Sequence, residues 1–382
     1  MEQRPCVLVA HPSPDLYGSD RQLLASLAAL PAATWRVLVV LPADGPLAAE
    51  VRALGHEVRV LPFPVLRKAF ATPAGLLRLA GQLAVALPRL VRLLRRERVA
   101  ALYVNTITLP VWLLAGRLAR VRALCHVHEA EVGVGRAVGL ALYGPLVLAG
   151  RLVANSAETA RVVAGVVPRL AARTVVVHNG VDRPVPVRPR APHAGPSRLV
   201  VVGRLSQRKG TDVAVEVARL LVARGRDVHL TLVGDVFPGY EPFADGLRAT
   251  VAREGLGDRV ALTGFADDVW PAYDAADVVL VPSLGESFGN VAVEAVLSER
   301  PVVASGVQGL AEVLDDGRTA LLVPPGDAAA AAAAVEELLD DPARADALGR
   351  AARADALARF GGAAYRAAVL REVSRLAGRG AA

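Results

Sequence analysis

The residues best placed for chemistry are two cations and two carboxylates in the second half of the chain. Gly203-Arg204-Leu205 precedes Arg208-Lys209-Gly210; an apolar strand-like run ends at Gly203 and a helical pattern begins just after Lys209. Arg204 and Lys209 therefore fall between a strand end and a helix N-terminus. A diphosphate binds well there, and its negative charge is stabilised as it leaves. Basic residues capping a surface loop are the plainer alternative. Farther on, Pro282-Ser283-Leu284-Gly285-Glu286-Ser287-Phe288-Gly289-Asn290 runs into a helix carrying Glu294. Glycines at 285 and 289 allow backbone to approach a ligand, and the helix start offers free N–H groups to phosphate. Glu286 lies in the loop and Glu294 about one turn into the helix. Carboxylates accept hydrogen bonds from vicinal hydroxyls, so this pair could grip a sugar and a ribose on either side of a diphosphate.

Other chemistries lack their motifs. The turn from His11 to Asp20 has no Gly-x-Gly-x-x-Gly, and no Gly-Lys-Ser/Thr phosphate loop occurs. There is no cysteine cluster or His-Glu-x-x-His for a metal, and no Gly-x-Ser-x-Gly for an esterase. His11, His56, His193 and His229 read as surface or strand-end residues, Trp35, Trp112 and Trp270 as packing residues, and Asp267 and Asp268 as a helix N-cap.

The elements that must position these groups alternate from end to end. Candidate strands are Cys6–Ala10, 35–41, 57–61, 101–105, 123–128, 152–155 and 174–178, then 199–203, 229–233, 259–263, 278–282, 301–304 and 320–323. Helix-length segments separate most of them, and three helices close the chain, the last over about 362–376. Such alternation predicts mostly parallel sheets covered by helices on both faces. Between the two sets, Pro184, Pro186, Pro189, Pro192 and Pro196 read as an interdomain linker. The expected organisation is two doubly wound domains, residues 1–181 and 198–360, joined by a linker at 182–197, with 361–382 as a C-terminal helix. Between two such domains lies a natural ligand cleft.

The 382 residues are 53% hydrophobic and 4% aromatic, enough apolar material for two cores and contrary to disorder. Cys6 and Cys125 sit in apolar runs and read as buried reduced thiols, and no secretory signal is visible, so a cytoplasmic location is expected. Residues 1–180 hold 21 Lys+Arg against 10 Asp+Glu, so the net charge of +7 belongs to the first half. Arg67, Lys68, Arg78, Arg89, Arg92, Arg95, Arg96 and Arg98 fall among Leu and Val. They suit either a basic helix on an anionic membrane surface or a solvated face in an Arg-rich protein. Nucleic acid fits less well, because stacking aromatics are not interleaved with the charge. Charges and Pro88 within 75–94 argue against a transmembrane span.

On these residues the chain resembles the retaining GT-B glycosyltransferases of glycosyltransferase family 4, the group 1 transferases. The resemblance rests on Gly-Arg-Leu…Lys-Gly, on Glu286-x-Phe288-Gly289 with Glu294-Ala295, and on Glu312 and Pro325-Gly326-Asp327. In the first half it rests on Tyr17-Gly18, His126-Val127-His128-Glu129, Asn155-Ser156 and His178-Asn179-Gly180-Val181-Asp182. It implies a GT-B fold, two Rossmann-like domains facing a central cleft, with the last helix crossing back to the first domain. Arg204 and Lys209 would neutralise the diphosphate of a UDP- or GDP-sugar, a substrate rather than a cofactor, with no metal. Glu294 would bind the ribose and Glu286 the transferred sugar. Gly18, Gly203 and backbone from Phe288 through Gly289 to Asn290 would complete the donor site, with the loop at Phe265 on the base. His128, or else His126, would approach the reacting carbon. The implied reaction moves a hexosyl-type sugar with retention to a glycan, lipid-linked or small-molecule acceptor, in envelope polysaccharide or glycolipid synthesis. The basic stretch from Arg67 to Arg98, not the resemblance, is what suggests a peripheral place on the inner face of the cell membrane. A silent GT-B partner protein and a nucleotide-sugar epimerase are the alternatives. The first loop departs from the family pattern at Tyr17 and Asp20, where Gly and Glu are usual. Arg300 and Ala320 replace usual glycines; if position 300 is left-handed, Arg there costs about 1 kcal/mol.

Overall fold

A computed structural model describes residues 4–16, 18–67, 70, 72–237 and 239–378. The chain divides into two compact units, Met1–Gly180 with Gly362–Ala382, and Val181–Gly361. In the first, β1 (Cys6–Ala10), β2 (Arg36–Leu41), β3 (Glu57–Val60), β4 (Val99–Val104), β5 (Ala123–Val127), β6 (Arg151–Ala154) and β7 (Thr174–Val176) form one sheet. In the second, the strands are β8 (Ser197–Val202), β9 (Val228–Val233), β10 (Val260–Gly264), β11 (Val278–Val281), β12 (Val302–Ser305) and β13 (Leu321–Val323). The orders are β3-β2-β1-β4-β5-β6-β7 and β10-β9-β8-β11-β12-β13, and every pairing is parallel.

Parallel strands covered on both faces need continuous apolar runs, which is why β1, β5 and β11 are buried at every position. Each sheet has a core on either side. Leu8, Leu102 and Trp112 lie on one face of the first and Val9, Leu23 and Trp35 on the other; Leu199 and Leu280 oppose Val279 and Phe288 in the second. Both cysteines are buried thiols, and burial pushes Cys6 up to about 11. The final helix, Gly362–Leu376, crosses back to the first unit as expected, burying Tyr365, Val369 and Val373 in its core. Gly180 makes this docking possible, since a Cβ there would lie 2.5 Å from that of Tyr365.

The segment 182–197 is irregular before Ser197, as its prolines require, but it is not a free tether. It belongs to the second unit. Arg183 forms a bidentate ion pair with Asp274 (2.9 and 2.8 Å), Arg190 reaches Asp346 (2.9 Å) and His193 reaches Asp277 (2.8 Å). At position 300 the condition for a strained arginine is not met. The left-handed residue is Glu299, at φ 54°, not Arg300. Arg300 is fully buried, and its guanidinium donates to the carbonyls of Tyr273 (3.1 Å), Ser298 (3.2 Å), Arg188 (2.8 Å) and Asp274 (2.7 Å). One planar fork thus satisfies carbonyls at the C-terminal ends of two helices, Trp270–Ala275 and Asn290–Leu297, and clamps the Pro-rich segment beside them.

The helix Pro73–Arg96 fits the basic stretch. Thr72 caps it, with its side chain accepting from the Gly75 N–H at 3.0 Å. Among the described residues it is the one helix long and apolar enough to cross a membrane by length and composition. Its second half nevertheless buries Ala86, Leu90, Leu93 and Leu94 in the first unit, so it is part of that fold. Its first half leaves Leu76 and Leu77 59% and 77% exposed. Lys68 lies outside the described residues.

Arg300→Met keeps the apolar bulk but strands buried carbonyls, and should destabilise the protein by about 3 kcal/mol. Chemical denaturation checks this; an unchanged midpoint would show that the guanidinium does not clamp the segment.

Candidate functional site

In an open parallel sheet, loops leaving the strand ends diverge where the strand order reverses, and ligands bind in the gap. That reversal falls between β8 and β11 in the second unit and between β1 and β4 in the first. Both motif loops of the second unit leave the strands flanking its reversal. Ser206 caps the short turn Gln207–Lys209, its Oγ accepting from the Lys209 N–H. Gly210 follows at φ 64°, and a Cβ there would sit 2.0 Å from the Pro282 carbonyl. Only glycine lets the lysine turn lie against the strand end of β11. Two hydrogen bonds join the loops, Leu284 N–H to Arg208 O at 2.8 Å and Arg208 Nε to Gly285 O at 3.1 Å.

The result is a direct ion pair between Lys209 and Glu286, both largely shielded from water. The Glu286 N–H donates to Gln308 Oε1 (2.7 Å), and its carbonyl accepts from Gly309 N–H (2.9 Å). Gly289, at φ 108°, starts the helix Asn290–Leu297. Phe288 turns its ring into the core against Phe360. Glu294, one turn along, accepts from the Tyr273 hydroxyl at 2.9 Å. Arg204 is exposed, its guanidinium 3.6 Å from the centre of the Phe237 ring. Gly203 follows β8 and Gly264 ends β10, with Gly234 bridging to Gly264, and Phe265 beyond them is 49% exposed. Lys209, Glu286, Gly289, Asn290 and Glu294 are thus assembled around one turn, with Arg204 and Gly203 on the neighbouring strand end. Gln308, Tyr273 and Phe237 support them and carry no local motif that could have announced them.

Gly18 and His128 belong to the first unit. Gly18 opens the helix Gly18–Ala28; its neighbour Tyr17 lies outside the described residues. His126 is fully buried, with Nδ1 2.6 Å from the Tyr103 hydroxyl and Nε2 without a hydrogen-bond partner among the described residues. His128 packs against it, ring centroids 4.0 Å apart and planes tilted by 35°, and retains some exposure. Surrounding protein lowers the pKa of His128 to about 3, chiefly by desolvation. His128 Nε2 contacts Asn105 Oδ1 (3.1 Å), and Asn105 Nδ2 contacts His11 Nδ1 (3.0 Å). His11 itself is fully buried against Asp20, and His56 is also buried, so neither is a surface residue; His11 does stand at the end of β1.

Two glycosyltransferase profiles match the chain in sequence. Residues 18–183 match Glycosyltransferase Family 4, and residues 196–341 match Glycosyl transferases group 1. Each half carries a glycosyltransferase-family domain. Among solved structures, the chain is similar to Anabaena HepE in complex with UDP and glucose (TM-score 0.82, 24% identity, 96% of this chain and 99% of that one). It is also similar to sucrose-phosphate synthase from Thermosynechococcus elongatus (TM-score 0.75, 22% identity, 98% and 99%). The fold is GT-B. Local sequence matches include 2-deoxystreptamine glucosyltransferase of Streptomyces kanamyceticus, 40% identical over 30% of this chain and 30% of that one. D-inositol 3-phosphate glycosyltransferase of Corynebacterium aurimucosum is 50% identical over 21% and 19%. These alignments span under a third of the length of either relative.

Burial raises the pKa of Glu129, against hydrogen bonds from Thr106 and backbone N–H groups that lower it. A raised carboxyl pKa favours the folded state below the ordinary carboxylate range, and this contribution is lost as pH climbs through the folded value. Glu129→Gln should therefore unfold at a higher temperature than the parent at pH 8, with the gap closing by pH 4. Melting curves across that range test it, and a constant gap would reject it.

Proposed function

We propose that the chain transfers a hexosyl-type sugar from a UDP- or GDP-sugar to a glycan, lipid-linked or small-molecule acceptor, with retention of configuration. The observation that carries this reading is the convergence of Lys209, Glu286 and Glu294 on the glycine turn after β11. In the reading, Lys209 and Arg204 take the diphosphate, helped by N–H groups from Phe288 through Gly289 to Asn290 and, from the first unit, by Gly18. Glu294 holds the ribose, Glu286 holds hydroxyls of the sugar, and Gly203 and the loop at Phe265 flank the nucleotide. His128 serves the sugar near its reacting carbon. The anomeric carbon–oxygen bond breaks toward the diphosphate, and the acceptor oxygen attaches on the same face. Its proton passes to the departing phosphate oxygen. Positive charge preorganised at the diphosphate stabilises that leaving group, the task a metal ion performs elsewhere. HepE crystallised with UDP-glucose, which makes that donor the first to try.

The same reading places the protein on the inner face of a cell membrane, in envelope polysaccharide or glycolipid assembly. Leu76, Leu77 and Val85 of the helix Pro73–Arg96 are exposed beside Arg78, Arg89, Arg92 and Arg96. Apolar groups flanked by arginines suit an anionic lipid surface, each cation contributing about 1 kcal/mol.

Purified protein given UDP-glucose and GDP-mannose should release the nucleoside diphosphate, and Lys209→Ala or Glu286→Ala should lower kcat/KM on the order of a hundredfold or more. Failure to bind or turn over any nucleotide sugar overturns the reading. Vesicles containing phosphatidylglycerol should retain the protein at low salt and release it at high salt. Replacing Arg89, Arg92 and Arg96 together with Ser should weaken binding on the order of a hundredfold. Equal binding to neutral and anionic vesicles would refute the membrane assignment.

A further inference from the structure

We infer that Asp20, His11 and Asn105 form a positioning relay that holds His128 as its Nε2–H tautomer and offers Nδ1 as a hydrogen-bond acceptor to a hydroxyl of the donor sugar. The inference rests on the proposed function for its ligand, and on the geometry of the first unit for everything else.

The relay begins at a carboxylate. Asp20 is buried in the first turn of the helix Gly18–Ala28, where the helix N-terminus favours negative charge. Its Oδ1 lies 2.6 Å from His11 Nε2, and a carboxylate can only accept, so that nitrogen carries the proton. The orientation of the Asn105 amide then makes His11 Nδ1 an acceptor. Asn105 meets it with Nδ2, a donor, at 3.0 Å, which turns Oδ1 of the same amide toward His128 Nε2 at 3.1 Å. That oxygen accepts, so His128 Nε2 must donate, and Nδ1 is left with a lone pair. Each link fixes the next: reversing the Asn105 amide would set an acceptor against His11 Nδ1 and a donor against the Nε2–H of His128.

Position is fixed as firmly as polarity. His11 N–H bonds Val40 O at 3.2 Å and Asn105 N–H bonds Ala10 O at 3.0 Å, so both residues continue the register of adjacent strands. His126 lies under the His128 ring at 4.0 Å, and the Glu129 carboxylate accepts from His128 N–H at 3.0 Å. No protein hydrogen bond reaches His128 Nδ1 among the described residues, and the residue keeps some exposure. With a pKa near 3 the ring stays neutral at working pH, so it acts by accepting a hydrogen bond and not by moving a proton.

The test is long-range proton–nitrogen NMR of the seven histidine rings, with His128 assigned from the spectrum of His128→Gln. In the parent protein, His11 and His128 should both show the Nε2–H pattern; an Nδ1–H pattern at either overturns the relay without any further variant. Asp20→Asn, nearly isosteric, removes the fixed polarity. His128 should then show both tautomers, and kcat/KM for the donor sugar should fall about tenfold while the Kd for UDP alone stays within twofold. Asp20→Glu should restore the single tautomer and most of the activity. An unchanged His128 spectrum in folded Asp20→Asn would reject the relay. A parent protein with the expected tautomers but no nucleotide-sugar turnover would reject the proposed function and leave the relay standing.

Discussion

An ammonium and a carboxylate, each largely out of water, hold one another where the loops after β8 and β11 meet. Either charge alone would meet a desolvation penalty there; together, with backbone bonds tying the same loops, they join two separate motifs into one site. A ligand that parts them must bring its own partners, an anion for Lys209 and a hydroxyl donor for Glu286. The pair therefore explains the glycine at position 210, which brings the lysine to the carboxylate, and the hydrogen bond from Glu286 N–H to Gln308, which holds the carboxylate's backbone still.

Both units solve one problem in the same way. A parallel sheet buried on both faces leaves its polar groups only at strand ends, and the reversal of strand order leaves one gap where they can collect. In the second unit that gap collects charge. In the first it collects amide and imidazole groups, whose pKa shifts favour neutrality: His126 and His128 are both pushed down by burial. The second unit thus offers full charges at its reversal, and the first offers directional hydrogen bonds at its own.

The thirteen strands among the described residues were legible: central strands such as β1, β5 and β11 read as unbroken apolar runs, edge strands such as β3 (Glu57–Val60) fell in the spacing between helical segments, and ends moved by at most two residues. The last helix was legible to the residue. Partners far apart in sequence were not. The prolines after Asp182 spell irregular backbone, but nothing near Arg183, Arg190 or His193 announces Asp274, Asp346 or Asp277. At Arg300 the condition for a left-handed cost is not met, because the turn falls one residue earlier, and its four carbonyl partners, from three places in the chain, carry no local signal. At the candidate site, Lys209, Glu286 and Glu294 stand in recognisable local patterns. His11, Asp20 and Asn105 become neighbours only when β1 lies beside β4, an arrangement no single motif encodes.

The return of residues 362–376 to the first unit sets an order of assembly on the ribosome. The second unit is one unbroken stretch of chain and can close as soon as it has emerged. The first, although synthesised earlier, must wait with the seats of Tyr365, Val369 and Val373 empty. Domains usually mature from the N-terminus during synthesis; here the domain begun first is finished last, and for that interval an apolar face is open to chaperones.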